Sequence, residues 1–209
     1  MKPAVRVAIT SDLMCPWCWV GLKKLQRASK HANINLDIEW KPFLLRPNLP
    51  EEGVPKGGTP QSRVGARLKQ AGDSVGIDFT GLTERTPNTI LFHSMMKMIQ
   101  EDDDIDRSVA TEFQEAVFEG YFTLGVYPDM KGLLEAAHMV NDKTVLTKMK
   151  TMFDDHDGLN KLRKQVIAEA EAASAGGVHG VPSFEFNGQF VFSGAQPEET
   201  FVHYLRQFS

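Results

Sequence analysis

Two cysteines in one short run, Cys15-Pro16-Trp17-Cys18, fall between a strand pattern and a helix pattern, and nothing else in the chain constrains its fold as much. Before them, Val5, Val7 and Ile9 alternate with Arg6 and Ala8, the period of a short strand that stops at Ser11 and Asp12. After them, Trp19, Leu22, Leu25 and Ala28 share one helical side, while Lys23, Lys24, Arg27 and Lys30 share the other. Pro16 suits the first turn of that helix, where a missing N–H costs nothing. Ile34, Leu36, Ile38 and Trp40 then alternate with Asn35, Asp37, Glu39 and Lys41, a second strand. The spacing predicts a β-α-β opening, and hence a right-handed crossover and a sheet with some parallel pairing.

Residues 46 to 60 carry Pro47, Pro50, Pro55, Pro60, Gly53, Gly57 and Gly58, which predicts a loop. From about 61 to 175 the patterning is helical. Thr86-Pro87 reads as cap and first-turn proline of a helix running to Ile99, with Met95, Met96 and Met98 in the core. Further helices are expected from about Ile105 to Leu124, after Pro128, and from Leu159 to Ala175. Phe184 and Phe186, then Asn187-Gly188, then Phe190 and Phe192 predict a hairpin. Pro197 with Glu198 and Glu199 opens a closing helix through Phe201, Tyr204 and Leu205.

In a chain of 209 residues, two cysteines placed at random fall three apart about once in a hundred arrangements. A zinc site would need two more ligands, and the six histidines show no H-x₃₋₅-H spacing. Haem attachment would need a histidine after the second cysteine, where Trp19 stands. Two inert buried thiols are the bland alternative. The redox alternative places Cys15 at a helix N-terminus, where free N–H groups and the dipole favour an anion and lower its pKa from about 8.5. Cys18, one turn inside, would keep its proton and resolve a mixed disulfide by attacking the Cys15 sulfur. Asp12 reads either as a loop residue capping the helix or as an acid/base that moves protons during exchange. Asn88 and Thr89 read most simply as a helix start, and His93 as a satisfied half-buried histidine. His179 falls in a glycine-rich loop that needs no role for it.

The hydrophobic share is 42% and the charged share 24%, ordinary for a globular chain, and the net charge is −4. That balance gives no basic field for nucleic acid or an anionic membrane. The apolar run Val5 to Ile9 is interrupted by Arg6 and is too short to span a bilayer or to act as a signal-peptide core. A soluble, cytoplasmic protein is expected.

Cys15-Pro16-Trp17-Cys18, with Gly180-Val181-Pro182 before the last hairpin, resembles the thioredoxin fold, and the long helical insertion resembles the DsbA family. Asp12 with Cys15 to Gly21, then Asn88-Thr89, then Gly194-Ala195-Gln196, is similar to its FrnE-like branch, where Tyr often stands at the Trp19 position. The resemblance implies an α/β, thioredoxin-like fold with a large all-helical insertion. We expect a single domain with its core at 1–45 and 160–209 and the insertion at 55–160. The implied activity is that of a protein-disulfide oxidoreductase or isomerase with Cys15 as nucleophile and Cys18 as resolver. Pro182 is then cis and packed against the pair, and the Val181 backbone pairs with an extended substrate. Pro16, Trp17 and Asn88 are the other expected substrate contacts. No bound cofactor and no metal are expected, only a redox-active disulfide, with glutathione as a candidate co-substrate. The implied partners are thiols and disulfides, protein or glutathione. Glutathione-dependent isomerases and transferases acting on a small aromatic substrate share the fold, usually with serine at the Cys15 position. Keeping both cysteines favours disulfide exchange. A chaperone that uses an apolar cleft is a third reading.

Overall fold

In the computed structural model, which describes residues 4–209, four strands form one sheet in the order β2-β1-β5-β6. β1 (Val5–Ser11) pairs in parallel with β2 (Leu36–Pro42), Val7 opposite Ile38 and Ile9 opposite Trp40. The crossover between them is α1 (Pro16–Ala32), as the opening pattern predicts. β5 (Ser183–Phe186) runs antiparallel to β1, and β6 (Gln189–Ser193) folds back on β5. Asn187 and Gly188 both take positive φ, 48° and 83°, the requirement of the tight turn that the Asn-Gly pair predicts.

The register sorts side chains between two faces. Val7, Ile9, Phe184 and Phe186 pair across β1 and β5 and are fully buried. Phe184 stands edge-on to Phe201 at 5.0 Å, seating α9 (Glu198–Phe208) beside α1 on that face. Ala8 and Thr10 share the other face with Glu39, Lys41 and Glu185, and Lys41 bonds Glu185 at 2.8 Å across β1. Edge strand β2 is shielded there by α4 (Ile90–Glu101), whose Gln100 side chain accepts from Trp40 N at 2.6 Å and donates to Trp40 O at 3.0 Å.

Between β2 and β5 the regular structure is helical apart from a short antiparallel pair, β3 (Val54–Pro55) with β4 (Arg85–Thr86). The helices are α2 (Pro60–Arg63), α3 (Ala66–Val75), α4, α5 (Ser108–Glu119), α6 (Met130–Met139), α7 (Lys143–Asp154) and α8 (His156–Ala175). Met95, Met96 and Met98 are buried, as expected. The helix expected from Thr86-Pro87 begins only at Ile90, because Thr86 is drawn into pairing with Val54 and Asn88 Oδ1 accepts from Ile90 N at 3.0 Å. The helix expected from Ile105 begins at Ser108, whose N–H donates to Asp106 Oδ1 at 2.9 Å, and its end widens into a π turn over Gly120–Leu124.

Gly21 decides how closely α1 meets Pro182 and the strand β5 that follows it. A Cβ there would lie 3.1 Å from Pro182 Cγ and 3.2 Å from Phe184 Cζ, tighter than most Cβ contacts in packed interiors, so a larger side chain must push these neighbours aside. Gly21→Val therefore destabilises the fold by about 1–3 kcal/mol, the usual cost of overpacking. Urea unfolding reads this as a lower midpoint with an unchanged slope; an unchanged midpoint contradicts the close approach.

Candidate active site

Cys15 is the N-cap residue of α1, with extended backbone (φ −93°, ψ 107°), and Pro16 opens the helix. The turn is closed on both sides of the cap: Cys15 N donates to Asp12 O at 3.0 Å and Cys18 N donates to Cys15 O at 3.0 Å. Both cysteines are free thiols and come within 3.7 Å of one another. They differ in access, Cys15 being 8% exposed and Cys18 wholly covered.

Their acidities part in opposite directions. Cys15 is held below the ordinary thiol value, first by a hydrogen bond from the Cys18 thiol and then by the N–H groups of Cys18 and Trp17 in the first turn. Burial and the Asp12 charge oppose that lowering without cancelling it. Cys18 is pushed well up, first by burial and then by Cys15 itself; the Ser11 hydroxyl and the Asp12 main chain offset this only in part. One sulfur is thus suited to be an anion and the other to hold a proton.

The Val181-Pro182 bond is cis, Pro182 is buried, and Val181 O lies 3.4 Å from Cys15 Sγ, placed to accept from the thiol. Asp12 is fully buried. Its Oδ1 accepts from Met14 N at 3.2 Å and its Oδ2 from Leu45 N at 2.8 Å, so the carboxylate ties the turn before α1 to the loop after β2. His93 is buried rather than half-buried; its Nε2 lies 3.7 Å from Asp12 Oδ1 and finds no hydrogen-bond partner. His179 is exposed in its loop.

Cys15 and Pro16 open onto a cavity of about 500 Å³. Leu45, Val64, Leu68, Phe79 and Phe122 give it an apolar lining, and Arg46, Lys56 and Arg63 are its charged residues. Trp17 is half-buried, with the Arg67 guanidinium 5.3 Å over the indole ring. Trp19 is buried in a cluster with Phe118 and Phe122, near-parallel to both, and edge-on to Phe79, which braces the cavity wall against α1. Asn88 does not line this opening, contrary to expectation: its amide donates to Leu49 O at 2.7 Å while its oxygen holds Ile90 N. It faces a different cavity, bordered by Glu51, Arg85 and Tyr127. The lining residues Lys56, Tyr121 and Phe122 escape a sequence reading, since only the packed helices bring them to Cys15.

Among the described residues, no helix is long and apolar enough to cross a membrane, and no three or more His, Cys, Asp or Glu side chains group as metal ligands.

A β-α-β unit, an antiparallel hairpin, a dithiol at the first helix and a cis-proline beside it define a thioredoxin-type fold with helices inserted. The model of the DSBA-like thioredoxin domain matches residues 6–206, and the chain belongs to that family. Membership of that family supports a disulfide oxidoreductase or isomerase. By fold it is similar to a probable DsbA oxidoreductase from Streptomyces coelicolor, with a TM-score of 0.73 and 22% identity over 97% of this chain and 89% of that one. It is similar as well to the cytosolic disulfide reductase DsbM from Pseudomonas aeruginosa, solved with GSH (TM-score 0.65, 16% identity, 97% and 98% covered). A 2-hydroxychromene-2-carboxylate isomerase shares the fold (TM-score 0.64, 15% identity, 97% and 94% covered). In sequence, the uncharacterized protein YwbO of Bacillus subtilis (strain 168) is 39% identical over 44 residues, a match that spans 21% of this chain and 21% of that protein.

Proposed function

We propose that the protein exchanges disulfides through the Cys15–Cys18 pair. The observation that carries this reading is the pairing of Cys15, 8% exposed and held toward the anion, with a wholly covered Cys18 held toward the thiol, 3.7 Å apart. The Cys15 thiolate attacks one sulfur of a substrate disulfide; the other sulfur leaves with the electron pair and takes up a proton. Cys18 then loses its proton and attacks Cys15 Sγ, which expels the second substrate thiolate and leaves Cys15 and Cys18 joined. The substrate gains two electrons and the protein loses two. If a second substrate thiol attacks the mixed disulfide instead, the substrate is reshuffled with no net change.

We assign the buried Asp12, whose charge bears on Cys15, to proton transfer during exchange. Pro16, Trp17 and Val181 border the reacting sulfur, and Pro182 packs behind it, with the Val181 backbone pairing an extended substrate. No bound metal or organic cofactor takes part, and glutathione serves as co-substrate. A cytoplasmic setting is supported by the cytosolic description of the Pseudomonas protein. Cytoplasmic thiols are kept reduced, which favours reductase or isomerase work over bulk oxidation. The purified protein should speed the reduction of insulin by dithiothreitol, or the reactivation of scrambled ribonuclease, well above the free-thiol rate. Absence of both activities overturns the proposal. Saturable glutathione binding with isomerase activity that survives Cys18→Ser favours the isomerase reading instead.

A further inference from the structure

In a chain of net charge −4, the opening over Cys15 has a charge pattern of the opposite sign. Arg46, Lys56 and Arg63 line it, and among the described residues no carboxylate does. Asp12 lies below its floor with both oxygens occupied by main-chain N–H groups. The three cations are not equivalent. Arg63 spends its guanidinium on the carbonyls of Gly57, Gly58, Gly81 and Thr83, which builds the rim. Arg46 is exposed. Lys56 is fixed at its backbone, where its N–H donates to Glu84 O at 2.7 Å. Its Nζ sits 4.6 Å over the Tyr121 ring, and among the described residues no carboxylate pairs with it.

A half-buried ammonium beside a guanidinium is an unfavourable arrangement left to itself. Burial first, then the Arg63 charge, push the Lys56 pKa down to about 8. An anion entering the cavity would relieve both effects, and a carboxylate is the anion whose geometry an ammonium and a neighbouring guanidinium match. The apolar lining and a volume of about 500 Å³ suit a small organic molecule.

We propose that this opening selects small thiols and disulfides that carry a carboxylate near the reacting sulfur, and that Lys56, aided by Arg46, is the residue that reads the charge. This rests on Cys15 being the attacking sulfur. The step itself is unchanged: Lys56 bonds the carboxylate while Cys15 meets the sulfur, so it is a specificity residue and gains or loses no electrons.

The test uses two alkylating agents that differ in charge, with the reaction assigned to Cys15 by peptide mass. Iodoacetate carries the carboxylate and iodoacetamide does not, and the ratio of their rates cancels differences in thiolate content. The ratio for the native protein should exceed that for a free thiol peptide by about tenfold, and Lys56→Gln should lower it by about fivefold. Lys56→Arg should restore it, and Lys131→Gln, which removes a cation outside the opening, should leave it alone. A ratio that Lys56→Gln does not move, or that Lys131→Gln moves equally, overturns the inference while leaving disulfide exchange intact. Conversely, a charge-selective ratio with no turnover of 3,3′-dithiodipropionate, bis(2-hydroxyethyl) disulfide or cystamine keeps the charge reading and removes the proposed activity.

Discussion

Cys18→Ser should convert the protein into one that holds its substrate covalently, while Cys15→Ser should form no adduct and lose exchange altogether. Only Cys15 lines the cavity, and Cys18 is covered completely behind it, so a visiting disulfide meets one sulfur and not the other. Once the mixed disulfide exists, its release depends on a sulfur held 3.7 Å away. Intramolecular attack of this kind is equivalent to effective concentrations of about 10⁵ M or more, against millimolar external thiol. Removing it should lengthen the life of the mixed disulfide by at least about a thousandfold. Acid quenching followed by non-reducing electrophoresis or intact mass reads the adduct directly. Equal and mild losses in the two variants contradict the division of roles.

How much of this was legible beforehand follows from the range of the interactions involved. The strand at Val5 to Ile9, the helix opened by Pro16 and the turn at Asn187-Gly188 depend on residues next to one another in sequence. Their periods and backbone preferences survive unchanged into the fold. Thr86-Pro87 misleads because the local cap signal is outweighed by distant groups: Val54 claims Thr86 for a strand pair, and Leu49 O claims the Asn88 amide. The cysteine pair itself is legible because a helix N-terminus places both sulfurs within four residues. The charged opening is not. Arg46 and Lys56 come from the proline-rich loop, Lys56 just past its short strand, Arg63 from a four-residue helix, and Tyr121 and Phe122 from a π turn. No period or motif links those segments; they meet only in the packed fold, where Phe122 clusters with Trp19 and Phe118.

The acidity of Cys15 also governs the redox balance. Because its pKa lies below the unfolded value, the reduced fold gains stability as pH rises above the folded Cys15 pKa, and that gain is complete near 8.5. It is lost again as pH falls through the folded value. The disulfide form has no thiolate to stabilise, so the lowered pKa makes the disulfide easier to reduce than an ordinary one. At pH above about 8.5 the raised Cys18 reverses the trend, since the unfolded chain releases a proton that the fold retains.

The alkylation rate of the reduced protein with iodoacetamide, followed against pH and resolved by peptide mass into Cys15 and Cys18, tests the electrostatic division of the pair most directly. Cys15 should react with a midpoint clearly below 8.5, its reactivity present above that midpoint and lost as the solution is acidified through it, while Cys18 in the native fold stays unmodified across the same range. Two thiols titrating together at the ordinary value, or Cys18 reacting ahead of Cys15, would contradict it.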